Sequence, residues 1–277
     1  HKIVFLIAGI MLLGAGIVAD APIAHAATLT AASCSQAHIQ EKINAAVDGD
    51  TIMIPAGTCQ WTSGVSVSEK SLIIQGAGID QTIILDAISG GGVGLSITIG
   101  SGKTLRLTAL TFKPLTLHGA DNAFLHISGG SSNVRVDHVK FDGWNNGYRI
   151  TVVWASNIFG VFDHITWIGG FGNFIEIDHS SYLGSGSYGD NSWAQPTGFG
   201  TGNALFIEDS TFTNTDRDVQ AIWDCNGDGC RYVIRRNTFF HYAGSHHGTE
   251  TPGRSRGGRQ FEVYDNTFTS DGTRKTI

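Results

Sequence analysis

One short phrase recurs along most of this chain, and it restricts the fold more than any other feature. Val134-Arg-Val-Asp-His-Val-Lys-Phe141 returns as Val161-Phe-Asp-His-Ile-Thr-Trp167 and Leu205-Phe-Ile-Glu-Asp-Ser-Thr-Phe212. It appears again as Tyr232-Val-Ile-Arg-Arg-Asn-Thr-Phe239 and Phe261-Glu-Val-Tyr-Asp-Asn-Thr-Phe268, and Leu105-Arg-Leu-Thr-Ala-Leu-Thr-Phe112 is an earlier copy. The closing aromatics Phe112, Phe141, Trp167, Phe212, Phe239 and Phe268 are 29, 26, 45, 27 and 29 residues apart. A unit of this size cannot bury its apolar face alone and must stack on its neighbours. The phrases are β-branched, aromatic and alternating, so they predict strands. Strands this closely spaced leave no room for crossover helices. The expected fold is all-β, a parallel β-helix of about eight coils with the closing aromatics in one internal column.

Composition agrees. With 37 glycines and 5 prolines in 277 residues, the chain is rich in corners. The 45-residue interval is a coil carrying an insertion, whose surplus falls in the Gly/Ser-rich stretch 180–202. Tyr182, Tyr188, Trp193 and Phe199 in that stretch suit either a surface excursion or a sugar-stacking cover.

Residues 1–26 predict a secretory signal peptide: Lys2, an apolar run from Ile3 to Val18, then Ala24-His-Ala26 as a small-residue cleavage signal. The run is short for a membrane span. A single domain over 27–277 is expected, in a secreted protein, extracellular or periplasmic, with no membrane attachment after cleavage. The chain opens on His rather than Met, and the last phrase is followed by only nine residues, so a C-terminal truncation is expected. Net charge is −6 and survives removal of Lys2 and Asp20, which argues against a nucleic-acid partner.

Four cysteines in an exported chain suggest two disulfides, here expected as Cys34–Cys59 and Cys225–Cys230, one of three connectivities. One helix is expected before the coils. Ser33 and Gln36 read as a capping box, Ile39, Ile43 and Val47 lie on one face, and Asp48-Gly49 reads as the stop. It would lid the open end of the first coil.

Gly49-Asp-Thr-Ile-Met-Ile-Pro-Ala-Gly57, Leu72-Ile-Ile-Gln-Gly-Ala-Gly78 and Thr82-Ile-Ile84 resemble the opening of secreted pectate-lyase-like proteins with the right-handed parallel β-helix (pectin lyase) fold. The Asn-Thr-Phe corners at 237–239 and 266–268 resemble the stacked turn asparagines of that superfamily. The resemblance runs from Ser33 to the end of the chain. It implies the fold, and a range of activities from polysaccharide lyases, glycoside hydrolases, epimerases and esterases to phage tailspikes and adhesins.

Candidate chemistry comes from the strand that follows each phrase. Alternation in Phe174-Ile-Glu-Ile-Asp-His179 turns Ile175 and Ile177 inward and Glu176 and Asp178 outward. The same count places His126, Trp154 and Asp224 on one outward column with Glu176. After Phe239 the chain leaves the rhythm through His241–Gly258, which carries His246, His247, Glu250, Arg254 and Arg256, and Arg259 follows. β-Elimination on a uronate polymer needs a base for the proton beside the carboxylate and positive charge to tolerate the anion. The expected catalytic residues are His247, Glu250, Arg256 and Arg259. The expected substrate-binding residues are Asp178, Glu176, Trp193, Tyr188, His246 and Arg254.

Asp224-Cys-Asn-Gly-Asp-Gly229 begins like a calcium loop, but its twelfth position is Arg235, which excludes an EF-hand. A partial Ca2+ site on Asp224 and Asp228, with Asp178 as a further ligand, and a disulfide-closed turn are the two readings. Asp137-His138 and Asp163-His164 lie inside the phrase and read as structural. The function expected first is a polysaccharide lyase acting on an acidic glycan. A polygalacturonase-like hydrolase is the second reading, from Asn214-Thr-Asp216, Asp218 and His247-Gly248, though the adjacent Asp-Asp and the Arg-x-Lys motif are absent. A non-catalytic glycan-binding solenoid is the third.

Overall fold

A computed structural model describes residues 26–116, 123–144, 151–169, 173–179, 198–215, 223–225, 229–242 and 258–272. The chain winds as a right-handed parallel β-helix. Among the described residues every strand pair is parallel, and the described strands form a 15-stranded and a 6-stranded sheet. The main path of the larger sheet starts with Thr28–Thr30 and then takes one strand from each of eight coils, ending at Gln260–Tyr264. The smaller sheet runs Val65–Ser68, Leu95–Ile99, Leu125–Gly129, Thr151–Ser156, Asn173–Asp178 and Trp223–Asp224.

The repeated phrase forms two faces of each coil, joined by a sharp bend. At the bend one residue per coil is left-handed: Ala109 (φ 62), His138 (φ 52), His164 (φ 52), Asp209 (φ 49), Arg236 (φ 56) and Asp265 (φ 54). These positions repeat with the spacing of the closing aromatics, so each bend sits above the last. A left-handed non-glycine residue is strained. Here the strain is offset by stacking on both sides and by hydrogen bonds one residue later. Asn237 donates from Nδ2 to the Ile207 carbonyl (2.9 Å) and accepts on Oδ1 from the Ser210 N–H (3.0 Å). Asn266 repeats this one coil on, donating to Ile234 O (2.9 Å) and accepting from Asn237 N (3.0 Å). The turn asparagines therefore stack as the resemblance implied.

Cα register places Phe112, Phe141, Trp167, Phe212, Phe239 and Phe268 in one column. Ring centroids are 5.4 Å apart for Phe112–Phe141, 6.4 Å for Phe141–Trp167, 5.0 Å for Phe212–Phe239 and 4.8 Å for Phe239–Phe268. Between Trp167 and Phe212 the ring of Phe174 inserts from the smaller sheet, at 5.2 and 5.5 Å. Such pairs add about 0.5–1.5 kcal/mol each beyond the area they bury.

The N-terminal lid differs in detail from the sequence reading. A strand, Thr28–Thr30, precedes it and pairs with Thr51–Met53. The helix spans Gln36–Ala45 and its N-cap is Ser35, whose hydroxyl accepts from His38 N. Ser33 instead contacts the His38 ring at 2.7 Å, so there is no Ser33–Gln36 box. Ile39 and Ile43 are buried, but Val47 lies past the helix end and is 56% exposed. Lys70, not Asp48-Gly49, closes the end: its ammonium donates to the carbonyls of Ile43, Asn44 and Ala46 at 2.7, 3.0 and 2.8 Å. Cys34–Cys59 ties the lid to the first coil, and Cys225–Cys230 closes a later corner. The proposed signal peptide, residues 1–25 of it, lies outside the described residues. No described helix is long and apolar enough to cross a membrane.

Candidate functional site

The smaller sheet presents two outward columns whose chemistry changes along the solenoid. Register aligns Ser66, Ser96, His126, Trp154, Glu176 and Asp224 in one column. Ser68, Thr98, Ser128, Ser156 and Asp178 align in the other. Parallel pairing sets the rungs roughly 4.8 Å apart. The first coils thus offer hydroxyls, the middle ones an imidazole and an indole, and the later ones carboxylates. The inward residues between them, Leu125, Ile127, Val153, Ala155, Ile175 and Ile177, are fully buried and hold the strands flat. Alternation places Glu176 and Asp178 outward, as expected from the sequence.

His126 and Trp154 stack, with ring centroids 5.2 Å apart and planes 25° from parallel. His126 Nε2 and Trp154 Nε1 are shielded from solvent, and neither has a hydrogen-bond partner among the described residues. Burial pushes the His126 imidazole below its ordinary pKa, with the Asp178 carboxylate working against that shift. The ring is therefore a neutral base at neutral pH. The sequence placed His126 on the column but gave it no chemical role. The signal available was its outward position one rung from Trp154.

The carboxylates are individually held. Glu176 accepts from the Thr151 hydroxyl at 3.3 Å, and Asp224 accepts from Asn173 Nδ2 at 2.9 Å. Asp224 lies on the outward column yet is covered, so it is less open than Glu176. Just past Asp178, His179 is fully buried between two backbones. Its Nε2–H donates to Ile158 O at 2.8 Å, and its Nδ1 accepts from Arg231 N at 2.9 Å. Burial drives its pKa down to about 4.

Arg259 stands just before the strand Gln260–Tyr264, one coil beyond the corner that follows Asp224. Its backbone N–H donates to Cys230 O at 2.9 Å, and its side chain is buried, 7% exposed, rather than spread on the surface. The next residue, Gln260, pairs with Arg231. Register thus brings Glu176, Asp178 and Asp224 onto adjacent coils at one end of this face, whereas Arg259 is buried just before a strand of the larger sheet. His246, His247, Glu250, Arg254, Arg256, Tyr188, Trp193 and Asp228 lie outside the described residues. Among the described residues no three His, Cys, Asp or Glu side chains converge as a metal site. Asp178 and Asp224 occupy different columns on adjacent coils.

Asn214, which opens the hydrolase-like motif, is buried and donates from Nδ2 to His241 O at 3.0 Å, bonding one coil to the next. Asp216 and Asp218 are outside the described residues. Of the insertion's aromatics only Phe199 is described, and it is exposed.

No protein-family model matches the chain, and no curated protein matches it. Among solved structures it is similar to an alginate lyase from Paenibacillus sp. str. FPU-7, with a TM-score of 0.46 and 13% identity over 90% of this chain and 97% of that one. It is also similar to a pectin methylesterase. The complex of a variant with hexasaccharide IV gives a TM-score of 0.49 and 12% identity over 93% of this chain and 94% of that one. The complex with hexasaccharide VII gives 0.48 and 13% over the same shares. At such identities the likeness concerns fold alone. The class defined by the coil topology is the right-handed parallel β-helix.

Proposed function

We propose that this protein is a secreted carbohydrate-active enzyme that cleaves an acidic, uronate-containing polysaccharide by β-elimination on the face of the smaller sheet. The observation that carries the reading is the register-aligned column His126–Trp154–Glu176–Asp224. Groups repeating at strand spacing along a rigid solenoid suit an extended polymer lying across the coils. Trp154 offers an aromatic surface for a sugar ring, and the serine and threonine rungs offer hydroxyls for its substituents. The two disulfides fit an oxidising compartment.

In β-elimination a base removes the proton on the carbon bearing the uronate carboxylate. Electrons flow to form a double bond, and the glycosidic C–O bond at the neighbouring carbon breaks, its oxygen leaving with a proton. His126 is the base in this reading, because its neutral ring needs no prior deprotonation. His247 is the competing base from the sequence, with His246 beside it. Arg259, Arg256 and Arg254 neutralise the substrate carboxylate, and Glu250 returns the proton to the leaving oxygen. Tyr188 and Trp193 cover the bound chain.

One observation favours hydrolysis as the second reading. Glu176 and Asp224 are Cα partners on adjacent coils. Their backbones are thus roughly one strand spacing apart, about 4.8 Å, so two acidic residues occupy adjacent rungs of one column. Product analysis separates the two: elimination leaves an unsaturated, ultraviolet-absorbing end, and hydrolysis leaves only a reducing end. His126→Ala should abolish turnover under the first reading, and Glu176→Gln under the second.

A further inference from the structure

A second concave surface lies on the outer face of the larger sheet, away from the column on the smaller one. Three successive coils build it. Register places Phe206, Val233 and Glu262 on one outward column, and Glu208, Arg235 and Tyr264 on the next. The loop 200–202, which leads into the strand Leu205–Glu208, forms a wall. With Phe206, Val233, Arg235, Glu262 and Tyr264 it lines a half-open cleft of about 290 Å3. Pockets for small molecules begin at roughly 300 Å3, so this volume suits one sugar-sized ring rather than a long segment of chain.

The floor is apolar and the rim polar, and both are held in place. Val233 is covered although it faces outward, only 2% exposed. The Arg235 guanidinium lies over the Phe206 ring, 5.0 Å from its centroid. The same group donates from Nε to Glu208 at 2.5 Å and from a terminal nitrogen to the Tyr264 hydroxyl at 3.1 Å. Tyr264 is thus pinned at the rim with its ring 40% exposed, and its own hydroxyl proton is left to donate. Gln260, 1% exposed, donates to Glu262 Oε1 at 3.3 Å. It orients that carboxylate from a buried anchor, and no hydrogen bond to Oε2 is present among the described residues.

An exposed aromatic edge, an oriented carboxylate and a phenolic proton around an apolar floor match the two sides of a saccharide ring. Its C–H face packs on the aromatic ring, and its hydroxyls donate to the carboxylate. Charge decides which sugar. Among the described residues the charged groups here are Arg235 and Arg236 against Glu208, Asp209 and Glu262, two positive and three negative. Both arginines are engaged by Glu208 and Asp209, so an entering ligand meets the Glu262 carboxylate as the uncompensated charge. A uronate is repelled there, whereas a neutral sugar donates to it. We propose that this cleft binds a neutral hexose residue of a glycan. The site does not depend on the proposed enzymatic activity, and it sits on a different sheet from the face proposed for the acidic polymer.

The test is saturation-transfer NMR of the mature protein with glucose, galactose and mannose at roughly millimolar sugar, with galacturonate as competitor. The expected result is transfer to at least one of the three hexoses, with no displacement by galacturonate. Tyr264→Ala removes the aromatic edge and should weaken binding about tenfold. A side chain at Gly202 would meet nothing within 4 Å, so Gly202→Trp should obstruct the cleft and abolish binding while the circular dichroism spectrum stays unchanged. His126→Ala, on the smaller sheet, should leave hexose binding as it is. Binding that survives both Tyr264→Ala and Gly202→Trp, binding lost in His126→Ala, displacement by galacturonate, or no transfer to any of the three hexoses would each overturn the proposal.

Discussion

His179 accepts the backbone N–H of Arg231 on its Nδ1 at 2.9 Å, and so joins two corners that are 52 residues apart in the chain. The same ring donates from Nε2 to Ile158 O, in the coil before. One imidazole thus stitches three successive corners at the end of the strand that carries Glu176 and Asp178. It spans the place where the 45-residue interval interrupts the coil rhythm.

That stitch makes the fold acid-sensitive. The folded-state pKa of His179, about 4, lies below the ordinary unfolded value near 6.5. Between those values the unfolded chain takes up a proton that the folded one refuses. Stability is therefore full above about pH 6.5 and falls as pH drops toward 4, by on the order of 3 kcal/mol. Thermal melts across this range should show the fall, and His179→Gln should show a flatter profile from a lower starting midpoint. A wild-type midpoint that does not move between pH 7 and 4.5 would contradict the assignment.

The asparagine stack, with Asn237 buried, should contribute measurably to stability. Asn237→Ala leaves the Ser210 N–H and the Ile207 carbonyl, both buried in the bend, without partners. Each unsatisfied group costs about 1–3 kcal/mol, so a loss of roughly 2–6 kcal/mol is expected in denaturant titrations. Asn266→Ala, at a more exposed bend, should cost less.

The two disulfides should differ in weight. Loop-closure entropy assigns about 3.5 kcal/mol to Cys34–Cys59, which closes 25 residues, and about 2 kcal/mol to Cys225–Cys230, which closes 5. Paired serine substitutions, compared by denaturant midpoint, should rank in that order. The unreduced protein should show no free thiol by mass spectrometry.

The pH dependence of turnover tests the assignment of the base. Burial holds His126 neutral to lower pH than an exposed histidine. The acid limb of kcat/KM should therefore fall below pH 6.5, as the ring gains a proton. His126→Ala should remove at least 10²-fold of the rate, the low end for a general base, without moving the thermal midpoint by more than a few degrees. His247→Ala showing that loss instead, with His126→Ala active, would move the base to the 241–258 loop.

The solenoid was legible because its coil spacing is written into the closing aromatics, and Phe141, Trp167, Phe212, Phe239 and Phe268 do form one register-aligned column. The outward positions of Glu176 and Asp178 followed from strand alternation alone, whereas Asp224, expected outward on the same column, is buried. The lid was less legible, because a cap depends on local backbone geometry: Ser35 rather than Ser33 took the N-cap, and the C-terminal partner, Lys70, lies 24–27 residues away from the carbonyls it serves. His126 was missed because its distinguishing property is burial, which sequence spacing does not carry. The Asp137-His138 and Asp163-His164 pairs were read as structural, and their carboxylates are. The parallel stacking of their rings arises only once register sets the two coils one above the other.

The most direct test of the proposed activity is to incubate the mature protein with pectate, alginate and neutral glycans, with and without EDTA, and follow absorbance of unsaturated products in the ultraviolet. Absorbing products are expected from an acidic polymer only, formed equally in EDTA if the proposed arginines neutralise the carboxylate, and lost in His126→Ala. Reducing ends without ultraviolet absorbance, or binding with no cleavage of any polymer, would contradict it.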